Sequence, residues 1–412
     1  MPIRSRAAAP LLALLAAGAA ACSDAPTGAA IPREPARAVA PGWRTYYIAA
    51  DRVLWDYAPT DSNKIAATPL AQDRDAPTFT ENEPGERIGR RYWKLLYREY
   101  TSAAFTTRRP PAPEWRHLGI MGPVVRGQVG DTLRVYFRNN TTRPVTFHVH
   151  GLWYDKSSEG APYDDGDGFN PGDRVQPGQQ HIYTFVVPAR AGPGPADGSS
   201  VLWMYHSHVD EPKDTNSGLI GPIIITAAGK ATESGRPIDV DREFVMLFSI
   251  FNENDSWMLN RNIQEFTGLD TATRATTVRK LREDPEFEES NLMHSINGYV
   301  YGNLGFDPEW VPAQYPPTPA GLWPDVLQSV TMARGERVRW YLMGLGTEVD
   351  IHTPHWHGQT GLYAGQRTDV IELLPASMKV FDMVPDNPGT WLFHCHANDH
   401  IVAGMLGRFR VE

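Results

Sequence analysis

Trp391-Leu-Phe-His-Cys-His396, followed by Gly404-Met-Leu-Gly407, repeats in altered form an earlier stretch, Trp203-Met-Tyr-His-Ser-His208 followed by Gly218-Leu-Ile-Gly221. The likeness extends upstream of both. Gly335-Glu-Arg-Val-Arg-Trp-Tyr-Leu342 echoes Gly130-Asp-Thr-Leu-Arg-Val-Tyr-Phe137, and an H-x-H-G follows each after a similar interval. Arg44-Thr-Tyr-Tyr and Arg242-Glu-Phe-Val open the two copies in similar ways. The apolar runs are short, rich in Val, Ile, Tyr, Phe and Trp, and broken by 36 glycines and 35 prolines, which is the pattern of many short strands. The expected fold is all-β, with two homologous β-sandwich domains over 43–228 and 237–412, each the size of one domain.

The remaining ends of the chain read differently. Arg4 and Arg6 precede an apolar stretch from Leu11 to Ala21, and Ala19-Ala20-Ala21 stand before Cys22, as in a lipoprotein-type export signal over 1–22. The usual Leu three residues before that cysteine is Ala19 here. An Ala/Pro-rich tether over 23–42 would follow, leaving the protein exported, periplasmic or at the cell surface, with a lipid anchor on Cys22 as its contact with a membrane. Cys22 and Cys395 are the two cysteines, so no disulfide is expected within the exported chain and Cys395 calls for another explanation. Loss of Arg4 and Arg6 with the signal moves the formal charge from −9 to −11, which argues against a nucleic-acid partner.

Eight of the 13 histidines fall in four H-x-H pairs: His148/His150, His206/His208, His355/His357 and His394/His396. Residues two apart on a strand share a face, so each pair presents two imidazoles side by side. One such pair is weak evidence for a metal; four, equivalently placed in two repeats, point to metal binding. In His394-Cys395-His396 the histidines face one way and the cysteine the other, so one strand can serve two sites. His352, Cys395 and His400 form a His₂Cys set and Met405 adds a thioether, the ligand combination of a blue copper centre. Zinc accepts these ligands too, but eight imidazoles beside such a set suit copper redox chemistry better.

At this point the chain resembles the multicopper oxidases, and within them a two-domain bacterial form of the ceruloplasmin and hephaestin group. The resemblance runs from about Trp43 to the C-terminus through Trp55-Asp-Tyr-Ala58, Arg87-Ile-Gly-Arg90, Tyr205-His-Ser-His-Val-Asp210, Glu289-Ser-Asn291 and Ser295-Ile-Asn-Gly298. It implies cupredoxin-like Greek-key sandwiches and four coppers per chain. Type 2 copper would lie on His148 and His355. The type 3 pair would use His150, His206, His208, His357, His394 and His396, and type 1 copper would use His352, Cys395, His400 and Met405. The first repeat has Val145, Ser207 and Leu219 where the second has His352, Cys395 and Met405, so it lacks a type 1 site of its own.

The same resemblance bears on the electron donor and the partners. Glu289, His294 and Asp399, with Glu348 supplied by a neighbouring domain, match the ferrous-iron ligands of ceruloplasmin-like ferroxidases. Dioxygen would be the acceptor, reduced to water. A laccase-like oxidase of small organic donors is the alternative, with Asp399 orienting a phenol; a non-enzymatic copper-binding protein has no need of Cys395 between two histidines. The acidic run with Asp164, Asp165, Asp167 and Asp173 is either a calcium loop, as in ceruloplasmin, or solvated surface. The cluster needs histidines from two unlike domains; ceruloplasmin closes six domains into a ring, so the resemblance implies a cyclic homotrimer of six alternating domains, with a monomer whose two domains fold onto each other as the rival.

Overall fold

The computed structural model describes residues 39–166, 168, 170–305 and 330–412. In the first half the strands are β1 (Trp43–Asp56), the short arms β2 (Ser62–Asn63) and β3 (Thr68–Pro69), β4 (Arg91–Glu99), β5 (Val125–Gln128), β6 (Thr132–Asn139), β7 (His148–Val149), β8 (Gln180–Val186), β9 (Ser200–His206) and β10 (Ile220–Thr226). The second half holds β11 (Arg242–Asn252), β12 (Leu292–Ile296), β13 (Thr331–Met332), β14 (Val338–Gly344), β15 (Pro354–Trp356), β16 (Gly361–Tyr363), β17 (Gln366–Thr368), β18 (Met378–Met383), β19 (Gly389–Cys395) and β20 (Leu406–Val411). Helices are few and short: α1 (Ala76–Thr80), α2 (Glu211–Asn216), α3 (Leu259–Asn262), α4 (Ala275–Arg282), α5 (Pro285–Ser290) and α6 (Asn398–Val402). No described helix is long and apolar enough to cross a membrane.

Each half is a pair of sheets with the same wiring. The orders β4-β1-β6-β8 and β5-β10-β9-β7 in the first half recur in the second as β12-β11-β14-β18 and β13-β20-β19-β15, with β16 and β17 added at one edge. The opening strand of each half runs parallel to the strand that carries the repeated Gly-led motif, β1 to β6 and β11 to β14. Burial along β6 alternates residue by residue, so Leu133, Val135 and Phe137 point inward and their neighbours outward. The first core gathers Phe137, Phe147, Tyr183, Phe185 and Tyr205; the second centres on Trp340, Trp356, Phe381, Phe393 and Phe409.

The halves are joined by buried side chains as well as by the chain. Arg126 of β5 pairs with Glu243 of β11 at 2.7 Å, and the same carboxylate accepts the Tyr341 hydroxyl at 2.9 Å. Lys94 of β4 pairs with Glu253, both fully buried, and Tyr57 donates to that carboxylate at 2.6 Å. Such pairs add little net stability over apolar contacts, but breaking one partner leaves an uncompensated charge, so they fix how the two sandwiches meet. The end of the segment read as a tether is also held, since Val39 N donates to Ala231 O at 3.0 Å and Gly42 N to Asp131 Oδ1 at 2.7 Å. Cys22 lies outside the described residues.

Candidate metal centre

Strand pairing builds two equivalent histidine tetrads. His148 of β7 sits opposite His206 of β9, and His355 of β15 opposite His394 of β19, so each H-x-H meets its counterpart across a ladder. In the first tetrad His150 Nε2 and His206 Nε2 are 3.0 Å apart; in the second His357 Nε2 and His394 Nε2 are 3.1 Å apart. The rings of His148 and His208 lie 5.0 Å apart, and those of His355 and His396 4.9 Å. Among the described residues the ring contacts of each tetrad stay within its own half.

Backbone carbonyls settle which nitrogen is free. A carbonyl only accepts, so a ring nitrogen against it carries the proton and the other keeps its lone pair. His148 Nδ1 donates to Glu159 O at 2.7 Å and His355 Nδ1 to Asp369 O at 3.0 Å. His206 Nδ1 donates to Ser207 O at 3.0 Å and His394 Nδ1 to Cys395 O at 2.6 Å. All four therefore present Nε2 as a ligand. Burial, helped by neighbouring imidazoles, pushes His206 down to about 3 and His150 down to about 4, so both are neutral at pH 7, as a metal requires.

On the other face of β19 lies a second, fully buried set of His352, Cys395 and His400. Cys395 Sγ is 3.5 Å from His400 Nδ1, and the Nδ1 atoms of His352 and His400 are 3.2 Å apart. The backbone amides of Thr353 and Ala397 donate to the sulfur at 3.3 and 3.4 Å. Burial alone would raise the thiol, but the two imidazoles and these amides outweigh it and bring Cys395 down to about 5, so the thiolate is the resting form. Asp350, itself buried, lies 3.3 Å from His352 Nε2 and holds that ring with Nδ1 toward the sulfur. Met405 is buried beside them, its amide bonded to His400 O and its carbonyl accepting from the Cys395 amide. Two imidazole lone pairs and a thiolate in a buried pocket, with Met405 buried alongside, fit copper by softness and number.

The residues expected at a donor site surround this set without closing on each other. His294 of β12 is buried with its ring 5.2 Å from that of His400, and its Nδ1 donates to Leu292 O, leaving Nε2 free. Asp399, at the start of α6, has a carboxylate oxygen 3.9 Å from His400 Nε2 and a largely exposed side chain. Glu289 is exposed on α5, which leads directly into β12, and Glu348 is exposed in the loop after β14. These four do not form a group of ligand atoms within 4.8 Å, as the histidines do, among the described residues. In the acidic run, Lys156 Nζ stands 2.7 Å from Glu159 Oε2 and 2.9 Å from Asp165 Oδ2, so an ammonium already meets those charges; Asp167 lies outside the described residues.

Three acids at these sites escape a sequence reading. Asp350 stands two residues before His352 but at the end of a turn rather than in a strand, so its spacing alone does not place it behind that ring. Glu211 at the start of α2 comes within 3.4 Å of His208 Nε2, and its signal is only its nearness to an H-x-H. Asp214 stands where the second half has His400, but the interval from Ser207 to Leu219 is two residues longer than from Cys395 to Met405, which hides the correspondence.

Comparison with known proteins agrees with this geometry. Models of the multicopper oxidase family match residues 118–230 and 307–412. Ferroxidase HEPHL1 of Homo sapiens is 40% identical over 372 residues, covering 90% of this chain and 29% of that protein. Ceruloplasmin of Homo sapiens is 36% identical over 376 residues, covering 90% of this chain and 31% of that protein. The chain thus spans less than a third of the length of these relatives. The solved structure of the multicopper oxidase mgLAC has the same fold, with a TM-score of 0.51 at 17% identity over 90% of this chain and 86% of that one. A buried His₂Cys set and a histidine tetrad on opposite faces of one strand, two sandwiches of equal wiring, and these matches in both halves lead to one conclusion: the chain belongs to the multicopper oxidase family.

Proposed function

We propose that this chain is a copper-dependent ferroxidase, which takes single electrons from four ferrous ions and passes them, with four protons from solvent, to dioxygen, giving four ferric ions and two waters. The observation that carries the iron specificity is the pairing of His294 with His400: a buried imidazole with Nε2 free packs 5.2 Å from a candidate copper ligand, with the Asp399 carboxylate beside it. A hard dication suits a carboxylate-rich, partly solvated site of this kind. The identity to proteins named ferroxidase and ceruloplasmin supports the same donor.

Copper, when bound, would supply one-electron acceptance at His352, Cys395, His400 and Met405 and dioxygen reduction at the tetrads, with type 2 copper on His148 and His355 and the type 3 pair on the other six histidines. The chain's own part is to hold these ligands neutral or thiolate, keep the pocket around Cys395 dry, and join the two sites through the single residue step from Cys395 to His394 and His396. Glu289 and Asp399 would draw the ferrous ion to His294, and Glu348 would complete the ion's shell from a neighbouring subunit. The reading includes sandwich domains over 43–228 and 237–412, a cyclic homotrimer, and export with a lipid anchor at Cys22. It leaves the acidic run as surface neutralised by Lys156.

The test is steady-state oxygen uptake by copper-loaded protein, with ferrous iron and with a phenolic dye. Glu289→Ala is expected to raise the Michaelis constant for ferrous iron about 10-fold or more, the loss of one charged ligand contact, while oxidation of the dye stays nearly constant. Equal loss on both donors would sink the ferroxidase reading and point to a damaged copper site, and a native protein that turns over only the dye would replace ferroxidase with a laccase-like activity.

A further inference from the structure

The turn after β9 in the first half copies the turn after β19 bond for bond. Ser207 N donates to Leu219 O at 3.2 Å as Cys395 N does to Met405 O at 3.2 Å, and Leu219 N donates to Asp214 O at 3.0 Å as Met405 N does to His400 O at 2.9 Å. Thr146 N donates to Ser207 Oγ at 3.0 Å where Thr353 N donates to Cys395 Sγ at 3.3 Å. Val145, Ser207, Asp214 and Leu219 therefore occupy the four places of His352, Cys395, His400 and Met405.

What fills the first-half pocket is a carboxylate. Asp214 is fully buried and accepts four hydrogen bonds: from Ser207 Oγ at 2.6 Å, Val209 N at 3.1 Å, Asp210 N at 3.2 Å and Trp257 Nε1 at 2.8 Å. Ser207 lies between His206 and His208, and Val209 and Asp210 follow them directly. Trp257 comes from the second half, beyond β11. One side chain thus holds the middle and the C-terminal flank of a histidine pair and ties them to the other sandwich.

We propose that Asp214 is a positioning residue for the first tetrad: its buried carboxylate does by hydrogen bonding what the His₂Cys-Met set does by ligation in the second half, holding His206 and His208 in register with His148 and His150. A carboxylate suits this because four donors converging from one side need an acceptor-only group with two oxygens. Loss of such an outer partner typically lowers metal affinity 10–100-fold.

This rests on the proposal that the tetrads hold copper, and the experiment separates the two. Copper per chain is counted at limiting free copper, and the type 1 and type 2 signals are read separately by electron paramagnetic resonance, in native protein and in Asp214→Asn, Asp214→Ala and Trp257→Phe. The expected result is a roughly 10–100-fold weaker uptake of the tetrad coppers in both Asp214 variants, a smaller loss in Trp257→Phe, and a full blue band from Cys395 throughout. Should Asp214→Ala not fold, the isosteric Asp214→Asn decides. Native copper content and an unaltered type 2 signal in the Asp214 variants would overturn the inference, as would parallel loss of the type 1 signal, which marks general instability. Native protein that binds copper at Cys395 alone would instead overturn the tetrad assignment.

Discussion

His117 shows how one residue outside the metal sites can govern the chain's response to pH. It is fully buried in the first half, its Nε2 accepts the Val245 amide of β11 at 3.0 Å, and its carbonyl accepts from Asn297 Nδ2. Burial pushes its pKa down to about 3, against an unfolded value near 6.5. The folded state therefore binds fewer protons than the unfolded one between those values, so this contribution is complete above about pH 6.5 and is lost as pH falls toward 3. At about 1.4 kcal/mol per unit the full effect is on the order of several kcal/mol. The depressed His150 and His206 act in the same direction in metal-free protein, so the native slope is a sum. In His117→Gln the amide oxygen can still accept from Val245 without titrating, and urea melts of metal-free protein from pH 7.5 to 5 should show a shallower fall than native. Parallel curves would remove His117 from the account. At the type 1 candidate, Cys395→Ser should abolish the blue band and oxidase activity together in copper-loaded protein, and a surviving band would refute the assignment of that thiolate.

Elements deliver these side chains in the right directions. The ladder between β15 and β19 sets His355 against His394, while the alternation along β19 turns Cys395 to the opposite face, so two sites share one strand without sharing a pocket. The loop between β14 and β15 does the finer work. Thr347 N donates to Asp350 Oδ2 at 2.9 Å and Ile250 N to Asp350 Oδ1 at 2.7 Å, which fixes the carboxylate beside His352. Gly346 makes that turn possible: its φ is +132°, and a Cβ there would overlap the Asp350 carboxylate. Gly346→Ala should cost on the order of 2 kcal/mol in the thermal melt of metal-free protein. It should also shift the blue band, because Asp350 must move away from His352. A native melt and band would mean that the loop can rearrange around the added methyl. The repeated motifs of β6 and β14 were legible from their likeness to each other, whereas Asp350 and Gly346 owe their roles to a turn whose geometry no local pattern announces.

At the scale of the molecule, the proposed trimer treats the two tetrads as half-sites. Each contributes four imidazoles, and the ring contacts of each remain inside its own sandwich among the described residues. The buried ties between Arg126 and Glu243 and between Lys94 and Glu253 hold the sandwiches in one arrangement, which makes an intrachain closure of one tetrad on the other expensive. In the proposed trimer, a head-to-tail ring would complete each site with the second domain of the next subunit. Mixing inactive His148→Ala with inactive His394→Ala chains, under conditions that allow subunit exchange, should then recover oxygen uptake at interfaces built from two unmutated domains. A monomer with an intrachain cluster would recover none.

The sequence by itself determined the fold class and the duplication and marked the candidate metal ligands, because strand patterning and H-x-H spacing are local facts that survive any arrangement of the elements. Cys395 between two histidines already implied two sites on opposite faces of one strand. Only the tertiary structure decided which nitrogen each imidazole presents, since that depends on carbonyls of Glu159 and Asp369 brought from distant loops. The same holds for Asp350 behind His352 and for Asp214 in the pocket of the first half, whose four donors come from two segments of chain. Ligand identity is written in residue order, but ligand orientation is set by what packs behind each ring, and that is a property of contacts between segments far apart in the chain.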